Sequence, residues 1–161
     1  MLLAGLVLAS LSACTMNENP LLTESKLPYG APQFDKIKNE HYIPAFEQGI
    51  AEAKAEVDAI VANAEEPTFE NTIEALEFSG QTLDRVSSIF YNLMEADTDD
   101  EMQDIAEKIS PMMTEVSMYI SLNEKLFERI KAVYEKRESL GLEQDQMRLL
   151  EKTYKGFEKG G

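Results

Sequence analysis

The chain has 161 residues, with 30 acidic against 15 basic side chains and a formal net charge of −15 at pH 7. That length suits one domain with a hydrophobic core, and the negative charge makes nucleic acid and anionic lipid headgroups poor partners. The single cysteine excludes an internal disulfide, and with the single histidine it excludes a zinc site built from Cys and His within this chain.

The first segment has the features of a secretory signal. Residues 1–13 read MLLAGLVLASLSA, with no charged side chain. The run Leu-Ser-Ala-Cys ending at Cys14 resembles the lipobox of bacterial lipoproteins, which implies lipid attachment at Cys14, a membrane anchor and a location in the bacterial cell envelope. An unmodified Cys14 gives instead a soluble periplasmic protein. The alternative interpretation is a buried apolar N-terminus with an incidental cysteine.

Residues 14–33 are interpreted as a tether followed by an extended arm. They contain three prolines and show no apolar periodicity. Leu27, Tyr29 and Phe34 are the side chains predicted to hold the arm against the domain. The helical region is predicted to occupy residues 34–161.

A first helix is predicted from about Glu40, because apolar residues there recur in steps of three and four. Pro44 is acceptable only near the first turn, so the helix either begins near Glu40 or is kinked in that turn. The run Glu-Glu-Pro at 65–67 ends it. The predicted buried stripe is Tyr42, Phe46, Ile50, Ala53, Val57, Ile60 and Ala64.

A second helix occupies most of residues 67–101 and has the most regular stripe in the chain. Thr68 lies where an N-cap is expected, and Glu70 places negative charge near the positive end of the helix. Gly80 and Ser87 fall on the stripe, so a neighbouring helix is predicted to approach closely there. The stripe comprises Phe69, Ile73, Leu76, Gly80, Leu83, Ser87, Phe90 and Met94.

A third helix is predicted over residues 101–136, capped by Asp99 or Asp100 and bent or broken at Pro111. Its stripe comprises Met102, Ile105, Ile109, Met112, Val116, Tyr119, Asn123, Leu126, Ile130 and Val133. A fourth helix begins at about Leu142, and its apolar face comprises Met147, Leu150, Tyr154 and Phe157. The sequence therefore predicts an all-α fold of antiparallel long-helix hairpins, with about four helices after the signal segment.

The residues contain no recognisable set of catalytic or metal-ligating groups. HExxH needs two histidines, and the calcium-like run 97–101 has Met102 and Lys108 where a calcium loop needs Gly and Glu. His41 is interpreted as a capping or packing residue at a helix start rather than a general base. The acidic pairs at 65–66 and 99–100 are interpreted as solvated helix ends.

Five separate sequence segments resemble one protein family. They are FDKIKNEHYIPAFEQGI (34–50), NAEEPTFENTIEALEFSGQTLDRV (63–86), FYNLMEADTDDE (90–101), LNEKLFERIKAVYE (122–135) and LLEKTYKGFEKGG (149–161). In order and at matching spacing, they resemble the N-terminal region of bacterial peptidyl-dipeptidases in the thimet oligopeptidase family of zinc metallopeptidases. The resemblance covers residues 27–161.

The resemblance implies that these helices form part of the wall and lid of a deep channel for oligopeptides, which lose dipeptides from their C-terminus. Zinc would be bound far downstream, on a helix with HExxH, so no catalytic or zinc residue transfers to this chain. The resemblance predicts a fragment truncated before the catalytic region, which would pack on these helices. It also predicts that the isolated chain hydrolyses no peptide, with or without zinc. The alternative is a non-catalytic helical lipoprotein that binds a partner helix through an apolar stripe.

Overall fold

The computed structural model describes residues 19–160, and every regular element in that range is helical. The helices are α1 (Tyr42–Ala62), α2 (Ala75–Glu77), α3 (Gln81–Ala96), α4 (Asp100–Ser121), α5 (Glu124–Glu135) and α6 (Gln144–Gly160). A π-helical turn at Phe69–Glu74 leads directly into α2. The prediction of an all-α fold is confirmed. Within 19–160, none of the helices combines the length and apolar character needed to cross a membrane.

Helix α1 is the central element, because α3, α4 and α5 all pack against it. Its predicted stripe is buried from Tyr42 to Ile60, whereas Ala64 is exposed and lies beyond the end of the helix. A 3-10 turn at Asn39–His41 leads into α1, as expected for a start near residue 40. Pro44 is in the first turn, where its missing N–H leaves no intrahelical bond unmade.

The second predicted helix is divided in the structure. Thr68 is its N-cap as predicted: the Thr68 hydroxyl oxygen accepts a hydrogen bond from the Asn71 N–H at 3.1 Å, and Asn71 Oδ1 accepts from the Thr68 N–H at 2.9 Å. The prediction of one helix through to Met94 is wrong, because the chain turns between α2 and α3. Gly80 in that turn has a φ of 74°, and its N–H donates to Glu56 Oε2 at 2.6 Å.

The close helix contact that was predicted at Gly80 and Ser87 lies elsewhere. Ser87 is only partly buried, and the buried face of α3 is formed by Leu83, Val86 and Phe90. The tight approach is at Gly49 of α1, where a Cβ atom would lie 3.0 Å from Leu83 Cα. A Cβ atom at Gly80 would meet Ala53 Cβ at an ordinary 3.6 Å. Gly80 is therefore needed for its backbone conformation, and Gly49 for its lack of a side chain.

Replacing Gly80 with alanine is expected to lower the free energy of unfolding by about 1–2 kcal/mol, because an L-residue with a side chain is strained at positive φ. Gly80→Asn is the matched control, since asparagine tolerates the left-handed conformation better and should lose less. Urea unfolding followed by circular dichroism measures both. Equal stability of the alanine variant and the original chain would contradict the argument.

The third predicted helix is also divided, into α4 and α5. Asn123, predicted on the buried stripe, is instead the N-cap of α5, with its Oδ1 accepting from the Leu126 N–H at 3.0 Å. Helix α4 continues through Pro111 without a break, so a break occurs at Asn123 and not at the proline. Asp99 caps α4 as predicted and accepts from the Met102 N–H at 2.7 Å. Asparagine competes for backbone N–H groups, which favours a new helix start over a continued helix.

The buried residues form two clusters along α1. One lies between the first half of α1, α3 and α4; the other lies between the second half of α1, the π-helical turn, α5 and α6. Ile120 near the end of α4 packs against both clusters. The face of α6 that was predicted to be apolar contributes Leu150, which is fully buried in the second cluster.

The described part of the N-terminal arm is not held by the predicted residues. Leu27, Tyr29 and Phe34 are all exposed, whereas Leu21 is buried in the first cluster. The Leu21 carbonyl accepts a hydrogen bond from Arg85 Nη2 at 3.2 Å. A single fully buried leucine beside a hydrogen bond to its carbonyl anchors the arm better than three apolar side chains that stay in water.

Candidate functional site

His41 has the structural role expected from its position. Its Nδ1 accepts a hydrogen bond from the Lys38 N–H at 3.0 Å, which closes the turn in front of α1. Its Nε2 lies 3.9 Å from Glu40 Oε1. The prediction that His41 is a capping or packing residue is confirmed.

The other sequence candidates do not converge on a site. Within residues 19–160, no group of three or more His, Cys, Asp or Glu side chains is placed to hold a metal ion. The acidic pairs at 65–66 and 99–100 are exposed beside helix ends. Cys14 and residues 1–13 lie outside the described range, so lipid attachment stays a prediction.

A structural site that the sequence did not indicate is centred on Arg129 of α5. Arg129 Nη1 donates to the carbonyl oxygens of Asn63 at 2.8 Å and Glu65 at 3.3 Å, and Nη2 donates to Asn71 Oδ1 at 3.2 Å. The same Asn71 oxygen closes the cap on Thr68. The guanidinium therefore joins the end of α1, the following loop and the π-helical turn through one planar group.

Replacing Arg129 with lysine is expected to lower the free energy of unfolding by about 2 kcal/mol, because one ammonium group does not reproduce hydrogen bonds to three separated oxygens. Arg148→Lys on α6 is the matched control: Arg148 is exposed, and the change should stay within about 0.5 kcal/mol. Denaturant unfolding of both variants provides the comparison. Equal losses would show that the Arg129 hydrogen bonds contribute nothing specific.

An exposed polar cluster connects α1 with α4. Lys54 Nζ lies 2.7 Å from Glu115 Oε1 and 5.2 Å from the centroid of the Tyr119 ring, and the Tyr119 hydroxyl donates to Asp58 Oδ1 at 2.5 Å. The hydrogen bond and charge of Lys54 lower the pKa of Glu115, while the hydrogen bond to the Asp58 carboxylate raises the pKa of Tyr119. Both shifts are those expected for groups held in a charge-assisted contact between two helices.

Aromatic rings hold α5 and α6 together. Tyr134 and Tyr154 stack with centroids 3.9 Å apart, and the guanidinium carbon of Arg137 lies 4.1 Å from the Tyr134 centroid. Phe127 stacks on Phe157 at 6.4 Å. These contacts stabilise the pairing of α5 with α6. Helix α6 also contacts the C-terminal end of α4, where a Cβ atom at Gly160 would lie 3.7 Å from the Ser121 carbonyl oxygen.

An open groove of about 430 Å³ lies between α2 with its following turn, the C-terminal end of α4, and α6. We call it the α4–α6 groove. Its larger apolar side chains are Leu76, Ile120, Leu149 and Phe157, all partly exposed. Its polar residues are Glu77, Ser79, Ser117, Ser121, Lys152 and Thr153, and Gly156 completes the lining. Because Leu76, Ile120, Leu149 and Phe157 keep apolar surface exposed along one groove, this surface suits contact with another polypeptide.

The sequence of the chain is similar to those of known peptidases over most of its length. The chain is 46% identical over 143 residues to a dipeptidyl carboxypeptidase of Escherichia coli, and the match covers 89% of this chain and 21% of that protein. It is 44% identical over 146 residues to the dipeptidyl carboxypeptidase of Salmonella typhimurium, covering 91% of this chain and 22% of that protein. The oligopeptidase A of Salmonella typhimurium is 27% identical over 143 residues, or 89% of this chain and 20% of its own length.

The chain belongs to the thimet oligopeptidase family. The family resemblance inferred from the five sequence segments is thereby confirmed. No family model matches the chain. The chain spans about a fifth of the length of the curated relatives that it matches.

Two residues that organise the described helices, Gly49 and Arg129, were not indicated by the sequence. Gly49 allows α1 and α3 to pack closely, and Arg129 holds the loop after α1. The periodic pattern of the sequence does not indicate the role of Arg129, because its hydrogen-bond partners lie about sixty residues earlier in the chain. A glycine opposite a leucine backbone is equally invisible until two helices are placed side by side.

Proposed function

We propose that these helices form part of the substrate-channel wall of a peptidase that releases dipeptides from the C-terminus of oligopeptides. The observation that carries the proposal is the 46% identity to a protein named dipeptidyl carboxypeptidase, along 89% of this chain but only 21% of that relative. An arrangement of helices without converging catalytic groups suits a wall whose chemistry is supplied by other polypeptide. No observation on residues 19–160 favours the alternative of a non-catalytic lipoprotein.

Zinc is the cofactor proposed for the whole peptidase, where it would polarise the scissile carbonyl and activate water. The described residues do not fit a zinc site, because they provide no group of ligands for it. No step of the reaction is therefore assigned to this chain. Its proposed contribution is to bind and orient the peptide and to pack against the polypeptide that carries the metal.

A lipid anchor at Cys14 is proposed as the means of attachment to the cell envelope. It is supported by the uncharged residues 1–13 and by the small residues before Cys14. Mass spectrometry of membrane-extracted protein is expected to show an acylated N-terminal cysteine, and Cys14→Ser is expected to release the protein from membranes. A free internal thiol at Cys14 would contradict the anchor and favour a soluble periplasmic protein.

A chimera tests the proposed peptidase role. The 143 matched residues of the Escherichia coli dipeptidyl carboxypeptidase are replaced by their counterparts from this chain. The chimera is expected to release C-terminal dipeptides from a short peptide in a zinc-dependent manner, whereas the isolated chain releases none. A chimera that unfolds cooperatively but cleaves nothing would refute the proposal, as would zinc-dependent hydrolysis by the isolated chain.

A further inference from the structure

The α4–α6 groove is an apolar opening whose lining comes from several elements at once. Leu76 comes from α2, Ile120 from α4, and Leu149 and Phe157 from α6. These elements are fixed by the second core cluster, so the groove is a formed feature and not a gap beside one loose helix. Apolar surface kept in water is unfavourable, and grooves of this kind mark interaction sites.

A basic stripe on α6 runs beside the groove. Arg148, Lys152, Lys155 and Lys159 line this surface together with Glu151, whose Oε2 lies 3.4 Å from Lys155 Nζ and offsets part of the charge. Glu77 lies beside the stripe, in the groove, so the basic side chains still outnumber the acidic ones by four to two. Lys152 and Gly156 belong to both the stripe and the groove. In a chain with 30 acidic and 15 basic residues, such a local excess of positive charge selects for an acidic neighbour.

Gly156 provides room at the junction of the groove and the stripe. No heavy atom lies within 4 Å of the position that a Cβ atom would take there. The backbone of a neighbouring segment can therefore approach α6 closely at this point, which a larger side chain would prevent. Apolar walls, positive charge and a glycine opening occur together on one surface.

We propose that the α4–α6 groove receives an acidic segment with apolar side chains, from the polypeptide that extends beyond the matched region in the longer peptidases. This inference rests on the proposed function and specifies where the remainder of the peptidase packs. The matched region is 21% of the Escherichia coli relative, so ample polypeptide exists to supply the segment. Charge complementarity decides its chemistry: carboxylates face the basic stripe while apolar side chains fill the groove.

A second copy of this chain fits the groove less well. Each copy has a net charge of −15, so two copies repel one another over most of their surfaces. The covalently joined remainder of a longer peptidase has the advantage of high effective concentration, which favours its docking without high intrinsic affinity.

Cysteine reactivity tests the occupancy of the groove. Thr153→Cys places a thiol in the groove, and Ser88→Cys on the exposed side of α3 is the matched control. Each substitution is made in the isolated chain and in the chimera, and modification by N-ethylmaleimide is read on the corresponding peptide by mass spectrometry. The thiol at position 153 is expected to react at least about ten-fold more slowly in the chimera, with no such change at position 88.

Charge reversal tests the acidic character of the occupant. Lys152→Glu in the chimera is expected to lower the melting temperature and to restore much of the thiol reactivity at position 153. Lys125→Glu, also an exposed lysine but on α5 and outside the groove, is the matched control and should do neither. In the isolated chain neither reversal is expected to lower the melting temperature.

The outcomes separate this inference from the proposed function. A chimera that cleaves peptides while the thiol at position 153 reacts as fast as in the isolated chain overturns the groove inference alone. Protection at position 153 without peptide cleavage supports the groove inference and overturns the peptidase role. Protection that appears in the isolated chain as its concentration rises overturns the inference in favour of self-association.

Discussion

Replacing Phe90 with alanine is expected to lower the free energy of unfolding by about 3–5 kcal/mol, the largest effect of any substitution considered. Phe90 is fully buried at the centre of the first core cluster. Its ring meets Tyr42 edge-on with centroids 4.9 Å apart and Phe46 with centroids 5.7 Å apart. Alanine would leave a cavity between α1, α3 and α4 and remove both aromatic contacts.

Phe78→Ala is the matched control for this substitution, since it deletes the same side chain from a position that is 60% exposed. Its effect should stay within about 0.5 kcal/mol. Urea unfolding of the isolated chain, monitored by circular dichroism, gives both values. Similar losses for the two variants would show that the ring of Phe90 is not the centre of a packed core.

Replacing Gly49 with leucine is expected to lower the free energy of unfolding by about 3 kcal/mol through overpacking. A Cβ atom at this position would lie 3.0 Å from Leu83 Cα and 3.1 Å from Leu83 N, so backbone atoms and not a flexible side chain would have to move. Helices α1 and α3 would be forced apart along the first cluster, and Leu83 and Phe90 would lose contacts with α1.

Gly156→Ala is the matched control for Gly49, because both glycines lie inside helices and only Gly49 faces another backbone. Alanine is the better helix former by roughly 1 kcal/mol, so Gly156→Ala should stabilise the isolated chain or leave it unchanged. Denaturant unfolding measures both variants. Full stability of the Gly49→Leu variant would mean that α1 and α3 do not approach as closely as the structure shows.

The distribution of these effects suits a region that serves as a wall. Stability is concentrated in the two buried clusters along α1. The exposed hydrogen bond from Tyr119 to Asp58 connects α4 with α1 and raises the pKa of Tyr119, further away from neutral pH. A peptide-channel wall requires a fixed shape more than reactive groups. The α4–α6 groove is the part of this wall where we propose that a segment of the longer peptidase binds.

Local features of the sequence predicted much of the fold. The stripe of α1 is buried as expected from Tyr42 to Ile60, and Thr68 and Asp99 cap the helices that follow them. These predictions depend on interactions within a few residues: a period of 3.6 places apolar residues on one face, and a side-chain oxygen meets the free N–H groups of a first turn. Contacts with distant parts of the chain change neither the periodicity of burial nor the capping hydrogen bond.

The helix breaks were predicted less well, because periodicity continues across them. The spacing of the stripe through Gly80 and through Asn123 is preserved, yet the chain turns at both residues. At Gly80 the turn is stabilised by Glu56 from α1, a partner that lies 24 residues away. A local pattern cannot distinguish one long helix from two shorter helices whose apolar residues continue the same spacing.

The sequence by itself determined the helical class, the buried face of α1, the helix caps at Thr68 and Asp99 and, through five sequence segments, the thimet family. Only the tertiary structure decided that Gly49 is where two helices touch, that Arg129 binds the loop after α1, and that an apolar groove lies beside a basic stripe. The physical reason is one of distance along the chain. Burial and capping are set by near neighbours, whereas contacts between residues dozens of positions apart exist only once the helices have packed.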